Sequence, residues 1–181
     1  MNQLYQPISN NDHFYGNPDA TVSLVEYGDF ECPYCGRAYP IVKAIKQELG
    51  KNLKFVFRNF PLTKIHPNAF SAAVATEAAA LQGKYWEMHD IIFEHQHSLD
   101  PENVFLLAGR IGLDLAKFKH DIHDDKLIDK VEKDFETGLR SGVNRTPSFF
   151  INGEKFEGDW GAGQLMERLK ATLSADQIVN K

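Results

Sequence analysis

The sequence is short of the features that mark several large classes of protein. Only two of its 181 residues are cysteine, so a framework of several disulfide bridges cannot support the fold. Acidic residues outnumber basic ones by 25 to 20, and the basic residues are dispersed, which argues against nucleic acid or an anionic membrane surface as the main partner. No apolar run approaches the roughly 18 residues of a membrane-spanning helix, so we expect no membrane insertion.

The N-terminal segment also lacks a targeting pattern. Residues Met1 to Pro7 contain neither a basic segment nor an apolar one, unlike a secretory signal. As written, the chain is therefore expected to be cytoplasmic. The alternative is a mature exported protein that carries a new initiating methionine, because redox-active cysteine pairs also work outside the cytosol.

The two cysteines lie three positions apart, in the tetrapeptide Cys-Pro-Tyr-Cys at 32–35. The largely apolar segment Val22–Tyr27 before them predicts a buried strand. The segment Pro33–Leu49 predicts a helix that ends at Gly50, a usual C-terminal cap residue. A cysteine pair at such a strand-to-helix turn is the signature of thioredoxin-type redox chemistry.

The rest of the chain predicts a second strand, a long helical stretch and a hairpin. Leu53–Asn59 is the second strand, and it should complete a parallel, right-handed βαβ unit. Residues 63–142 are helical in pattern, and these 80 residues are too many for a loop inside a compact domain. Strand signals return at Pro147–Ile151, Asn152-Gly153 predicts a hairpin turn, and a last helix covers about Gln164–Leu173.

This order of elements predicts an α/β thioredoxin fold with an all-helical insertion between its two halves. The first half is βαβ and the second is ββα. The thioredoxin-like domain would be discontinuous, formed by 12–62 and 143–176. The inserted helical subdomain would be 63–142.

The positions of the two cysteines predict a different role for each. Cys32 lies at the N-terminus of the predicted helix, where the macrodipole and backbone N–H groups stabilise a thiolate. A free thiol, with a pKa near about 8.5, forms little thiolate at neutral pH. Pro33 suits the first helical position, and Cys35, one turn later, faces the same way as Cys32. We expect Cys32 to be the nucleophile and Cys35 to resolve the mixed disulfide.

Two elements elsewhere in the chain complete the predicted site. In a thioredoxin fold Pro147 would be a cis proline beside the cysteines, and the backbone of Thr146 would bind an extended substrate peptide by strand addition. Glu26 lies six residues before Cys32 on a buried strand. There its pKa would be raised, and it could relay a proton to or from Cys35. A pairing of Glu26 with Arg58 or a lysine is the alternative.

Other side chains near the cysteines have open roles. Four aromatic residues either form an apolar rim for unfolded or extended peptides or belong to the core: Phe30, Tyr34, Phe60 and Phe149. Asp29 and Glu31 flank the nucleophile, and their negative charge opposes the helix dipole. His66 is expected to cap the helix that follows it, and an approach to the cysteine site is the alternative. The segments His95-Gln96-His97 and His120-x-x-His123 have metal-ligand spacings, but neither lies near another ligand in the pattern, and we expect no metal.

The chain resembles the DsbA-like branch of the thioredoxin superfamily. The resemblance rests on Val25–Cys35, on Asn59–Leu62 with His66-Pro67, and on Gly142–Gly153, and it extends over about 12–173. It implies a thiol–disulfide oxidoreductase that acts on protein cysteines without a bound cofactor. Cys32, Cys35, Pro147 and Glu26 correspond by position to the family's functional residues.

The expected partners are substrate proteins with thiols or disulfides, and a redox partner such as glutathione, a thioredoxin-type reductase or a membrane oxidase. The direction of catalysis stays open, because the Pro-Tyr dipeptide also occurs in glutaredoxins and a threonine before the cis proline occurs in reductases, isomerases and oxidases. A reducing cytosol would favour a reductase. Two other functions remain as alternatives: a glutathione-dependent transferase or isomerase, which does not need Cys35, and a metal- or cluster-binding module with Cys32 as ligand.

Overall fold

The computed structural model describes residues 2–179, and their side chains as far as residue 175. Five strands and seven α-helices lie in this range. The strands are β1 (Phe14–Gly16), β2 (Val22–Gly28), β3 (Leu53–Asn59), β4 (Ser148–Ile151) and β5 (Glu154–Lys155). The helices are α1 (Pro33–Leu49), α2 (Ala69–Ala80), α3 (Tyr85–Glu94), α4 (Pro101–Arg110), α5 (Leu115–Asp121), α6 (Asp125–Arg140) and α7 (Gln164–Val179).

The five strands form one mixed sheet in the order β1-β3-β2-β4-β5. β1 is antiparallel to β3, and β4 is antiparallel to β2 and to β5. Six of the seven residues in β2 and in β3 are buried, because neither strand alternates polar with apolar side chains. The strands predicted at 22–27, 53–59 and 147–151 are confirmed to within one residue at each end, and the predicted bounds of α1 are confirmed.

The hairpin between β4 and β5 forms where the sequence predicts it. Ile151 pairs with Glu154 across the turn, and both turn residues have positive φ, 47° at Asn152 and 85° at Gly153. This is the conformation that Asn-Gly favours in a two-residue hairpin loop. The second strand of this hairpin, β5, is two residues long and ends at Lys155.

The chain forms two compact units. The first comprises the chain up to Tyr27, Arg37–Arg58 and the chain from Thr137 onward. It contains the sheet, apart from the last residues of β2 and β3. The second comprises Gly28–Gly36 and Asn59–Glu136, and it contains α2 to α5 and both cysteines. The domain boundaries proposed from the sequence place the cysteines with the strands instead, and they stay a prediction.

Among residues 2–179, no helix is both long enough and apolar enough to cross a membrane.

A buried ion pair lies in the first unit. Arg58 is 1% exposed, and its five N–H donors all have acceptors. Two of them donate to the carboxylate of Asp12, at 2.7 and 3.0 Å. The other three donate to the carbonyls of Gln6 and Pro7 and to the hydroxyl of Tyr27. The sequence-based alternative that pairs Glu26 with Arg58 is therefore wrong, because Asp12 takes that place.

A buried acidic cluster lies in the second unit. Asp134 accepts hydrogen bonds from the backbone N–H of Asn59 at 3.1 Å and from Lys130 Nζ at 2.7 Å. The Nδ2 of Asn59 donates to Asp134 and also to Glu77, and Lys130 Nζ lies 3.7 Å from Glu77. Burial raises the pKa of Asp134, while Lys130 acts to lower it. Two carboxyl groups thus share one lysine away from water.

Asp134→Asn is expected to remove part of the dependence of stability on pH. A carboxyl group with a raised pKa in the folded state favours folding while it is protonated. That contribution is lost as the pH rises through the folded pKa, at about 1.4 kcal/mol for each pH unit crossed. The free energy of unfolding of the variant, relative to that of the wild type, should therefore increase as the pH rises above about 4. Urea titration of both proteins at a series of pH values measures this difference.

A variant at the N-cap of α4 provides a control of opposite sign. The backbone N–H of Asn103 donates to Asp100 and, with the side chain of Asn103, lowers the pKa of that carboxyl group. Ionised Asp100 adds to wild-type stability as the pH rises from the lowered folded pKa to the ordinary carboxyl value of about 4, and adds nothing further above it. The stability of Asp100→Asn relative to the wild type should therefore fall as the pH rises toward about 4 and stay constant at higher pH. A parallel pH response in the two variants would contradict the assignment.

Candidate active site

The two cysteines lie at the start of α1 and are present as thiols. Cys32 immediately precedes the helix, and the N–H of Gly36 donates to its carbonyl at 3.1 Å to close the first turn. Cys32 is 4% exposed, whereas Cys35 is fully buried. Both residues are buried, and of the two only Cys32 keeps accessible surface.

The buried sulfur of Cys35 has a hydrogen-bond donor. The backbone N–H of Asp29 lies 3.4 Å from Cys35 Sγ. A donor of this kind favours the charged form of a sulfur over the neutral one. The turn therefore offers stabilisation to a thiolate on Cys35 when the disulfide opens.

The side chain of Asp29 organises the turn before α1. Its Oδ1 accepts from the backbone N–H groups of Glu31 at 2.8 Å and of Cys32 at 3.1 Å. Its Oδ2 accepts from the N–H of Leu62 at 2.8 Å and lies 2.8 Å from Nδ1 of His66. Since a carboxylate only accepts, the Nδ1 of His66 donates. Four donors thus offset the negative charge that the sequence places beside the nucleophile.

The side chain of Glu31 binds the N-terminus of α2. It accepts from the backbone N–H of Asn68 at 2.6 Å and from Asn68 Nδ2 at 3.0 Å. Asn68 is the N-cap of α2, so the prediction that His66 caps this helix is wrong. His66 instead contacts Asp29, because the loop between β3 and α2 returns the histidine to the cysteine turn.

Gln96, just after α3, also contacts the cysteine turn. Its Nε2 donates to the carbonyls of Phe30 and Cys32, at 2.8 Å each. In the sequence, only the two histidines beside Gln96 form a recognisable pattern, the spacing of metal ligands, and nothing indicates a role for Gln96 itself. A glutamine that bonds backbone carbonyls more than 60 residues away leaves no local pattern.

The apolar rim predicted around the cysteines is smaller than expected. Phe30 is 1% exposed and packs against His89 and Phe93, with ring centroids 5.7 and 5.0 Å away. Its predicted role in substrate binding is therefore corrected, since the ring belongs to the core. Phe60 and Phe149 are buried as well. Tyr34 is 56% exposed, and Pro33 beside it is exposed too.

The remaining predicted site residues belong to the first unit. Glu26 is 3% exposed on β2 and lies opposite Phe149 of β4. Thr146 and Pro147 are buried directly before β4, and the peptide bond between them is cis. Their action on the cysteines stays a prediction.

These features define a class of protein. A cysteine pair at the N-terminus of the helix after a central strand, in a mixed sheet with inserted helices, is the DsbA-like form of the thioredoxin fold. A family model described as Thioredoxin matches residues 9–171. The chain belongs to the thioredoxin family.

Solved structures support the fold. A thioredoxin-like oxidoreductase from Silicibacter pomeroyi DSS-3 superposes with a TM-score of 0.81 at 27% identity, covering 90% of this chain and 92% of that one. Oxidised BdbD from Bacillus subtilis superposes with a TM-score of 0.82 at 22% identity, covering 96% and 98%. The predicted fold class and the DsbA-like resemblance are confirmed.

A curated relative of the chain carries a different name. The protein named Na(+)/H(+) antiporter NhaA 1 of Mycolicibacterium gilvum (strain PYR-GCK) is 41% identical over 172 residues. The match covers 93% of this chain and 28% of that protein. The chain therefore spans about a quarter of the length of the relative.

Proposed function

We propose that the protein is a dithiol–disulfide oxidoreductase that exchanges disulfides with protein cysteines through Cys32 and Cys35. The observation that carries this proposal is the unequal exposure of a cysteine pair at the start of α1. Cys32 has accessible surface, while Cys35 is fully buried with an N–H donor on its sulfur. An attacking thiol and a resolving thiol need this difference. The transport activity in the name of the longer relative is not part of the proposal.

The exchange proceeds in two steps when the pair is oxidised. A substrate thiolate attacks Sγ of Cys32, the bond between the two cysteine sulfurs breaks, and its electron pair leaves on Cys35. The N–H of Asp29 stabilises this leaving thiolate. A second substrate thiolate then attacks the substrate sulfur of the mixed disulfide and releases Cys32. The substrate leaves as a disulfide and the enzyme as a dithiol, and the reverse sequence reduces a substrate disulfide.

The other predicted residues supply binding and proton transfer in this proposal. Glu26, buried on β2, holds or gives the proton that Cys35 exchanges. The backbone of Thr146 beside Pro147 binds an extended substrate segment by strand addition. The exposed side chains of Pro33 and Tyr34 contact the substrate around the attacked sulfur. No bound cofactor takes part, and the electrons pass to or from glutathione, a thioredoxin-type reductase or a membrane oxidase.

The equilibrium with glutathione tests the function and its direction. Protein incubated in buffers of graded glutathione ratio, quenched with acid and alkylated, should show one two-electron transition between disulfide and dithiol. A potential of about −120 mV is that of a strong oxidant, and one of about −270 mV is that of thioredoxin. A cytoplasmic reductase predicts the lower value. Absence of any transition would overturn the proposed function.

A further inference from the structure

The carboxamide of Gln96 is held against the cysteine turn in one orientation. Two acceptors, the carbonyl oxygens of Phe30 and Cys32, lie 2.8 Å from the same atom of the side chain. Only an NH₂ group can satisfy both, one N–H to each, because an amide oxygen in that place would repel them. The donor end of Gln96 therefore faces the turn.

The neighbouring glycine leaves room for this arrangement. Gly36 follows Cys35 in α1, and a Cβ built on it would lie 2.1 Å from Oε1 of Gln96. That separation is far too short for two heavy atoms, so any side chain at position 36 displaces the carboxamide. Alanine is the better helix former, and on helix propensity alone it would suit this position. The glycine and the glutamine thus fit each other.

We propose that Gln96 is a positioning residue for Cys32, and that Gly36 is a glycine in order to admit it. This inference rests on the proposed function. The Cys32 carbonyl belongs to the nucleophile itself, and the Phe30 carbonyl lies two residues before it. Both oxygens are negative ends of peptide dipoles, and negative potential near a sulfur disfavours its thiolate. The two N–H groups of Gln96 offset that potential and fix the turn that carries the sulfur.

Replacing Gln96 tests the electrostatic part of the proposal. Gln96→Ala removes both donors, and Gln96→Glu keeps the shape while it presents acceptors and a negative charge. The measurement is the alkylation rate of Cys32 by iodoacetamide against pH, with each site of modification assigned by mass spectrometry. Gln96→Ala is expected to raise the midpoint of this profile by about one pH unit, which is a tenfold loss of thiolate at lower pH. Gln96→Glu should raise it further.

Gly36→Ala tests the same contact from the other side. Its Cβ displaces the carboxamide of Gln96, so the alkylation profile should move as far as in Gln96→Ala. In the double variant, with alanine at both positions, the midpoint should shift as far as in either single variant and no further. Each single change already removes the same contact, that of the Gln96 carboxamide with the cysteine turn. If the shifts of the two single variants add in the double variant, the claim that Gly36 acts by admitting Gln96 is overturned.

A second glutamine in the same unit is a matched control. Gln82 also bridges backbone groups, since its side chain donates to the carbonyl of Asp114 at 3.2 Å and accepts from the N–H of Asp114 at 2.8 Å. Both of these bonds lie outside the cysteine turn, so Gln82→Ala should leave the alkylation profile of Cys32 unchanged. An equal shift in the two glutamine variants would mean a general loss of packing and would overturn the proposal.

Two outcomes separate this inference from the proposed function. If Gln96→Ala lowers the thermal midpoint but leaves the alkylation profile within about twofold of the wild type, Gln96 is structural only and the inference fails. If the wild-type protein shows no exchange with glutathione, the proposed function fails, whatever the alkylation profiles show.

Discussion

Cys32→Ser is expected to abolish disulfide exchange, and Cys35→Ser is expected to trap the enzyme as a mixed disulfide with its substrate. Without Cys32 the chain has no accessible cysteine thiol, since Cys35 is fully buried. The loss should be at least about 1,000-fold, because removal of a catalytic nucleophile commonly costs more than this. Without Cys35, the Cys32 thiolate still attacks a substrate disulfide and forms the mixed disulfide, but no internal thiol resolves it.

The two outcomes can be measured with one substrate, a small protein with a single reducible disulfide. Non-reducing electrophoresis should show a covalent adduct with Cys35→Ser and none with Cys32→Ser or with the double variant. Full turnover by Cys35→Ser would contradict the proposal and favour a glutathione-dependent transferase or isomerase. Metal bound to freshly purified wild-type protein, released on Cys32→Ser, would favour the metal- or cluster-binding alternative.

Asp12→Ala is expected to destabilise the protein by about 3–5 kcal/mol, because it leaves a buried guanidinium without its counter-ion. Arg58 is 1% exposed and donates two hydrogen bonds to Asp12. The charge cannot be released, since arginine stays protonated throughout the accessible pH range. Urea unfolding at pH 7, followed by circular dichroism, measures the change.

Two further variants distinguish the effect of a buried unpaired charge from the effect of losing any ion pair. Lys170 and Glu48 form a shorter pair, at 2.6 Å, but both side chains are half-exposed. Glu48→Ala should therefore leave the urea midpoint nearly unchanged. The double variant Asp12→Ala/Arg58→Met should recover part of the loss, since no unpaired charge remains in the core. Equal losses in Asp12→Ala and Glu48→Ala would contradict this account.

The parts of the fold that could be predicted from the sequence are those with local causes. The apolar run of β2, the helix from Pro33 to the stop at Gly50, and the Asn152-Gly153 hairpin each depend on neighbouring residues, and each lies where the sequence places it. The cysteine pair is predictable for the same reason, since its spacing and its strand-to-helix context are local.

The parts that could not be predicted depend on residues far apart in the chain. His66 is 37 residues from Asp29, and Asp12 is 46 residues from Arg58. A histidine beside a proline has the pattern of a helix start, and nothing nearby shows that a carboxylate returns to it. As an aromatic residue beside the cysteines, Phe30 suits a substrate-binding surface, yet its ring lies in the core. Only its packing against α3 distinguishes these two roles.

The cysteine turn Gly28–Gly36 is continuous with the sheet along the chain, yet its compact unit is the helical one. His66, Asn68 and Gln96, which bond this turn, all come from that unit. The tetrapeptide alone therefore does not carry the hydrogen-bond partners that surround the two cysteines. A chimera that receives Cys-Pro-Tyr-Cys on a thioredoxin scaffold without the inserted helices acquires two thiols in the right places but leaves their environment behind. Transplanting the site means transplanting its donors.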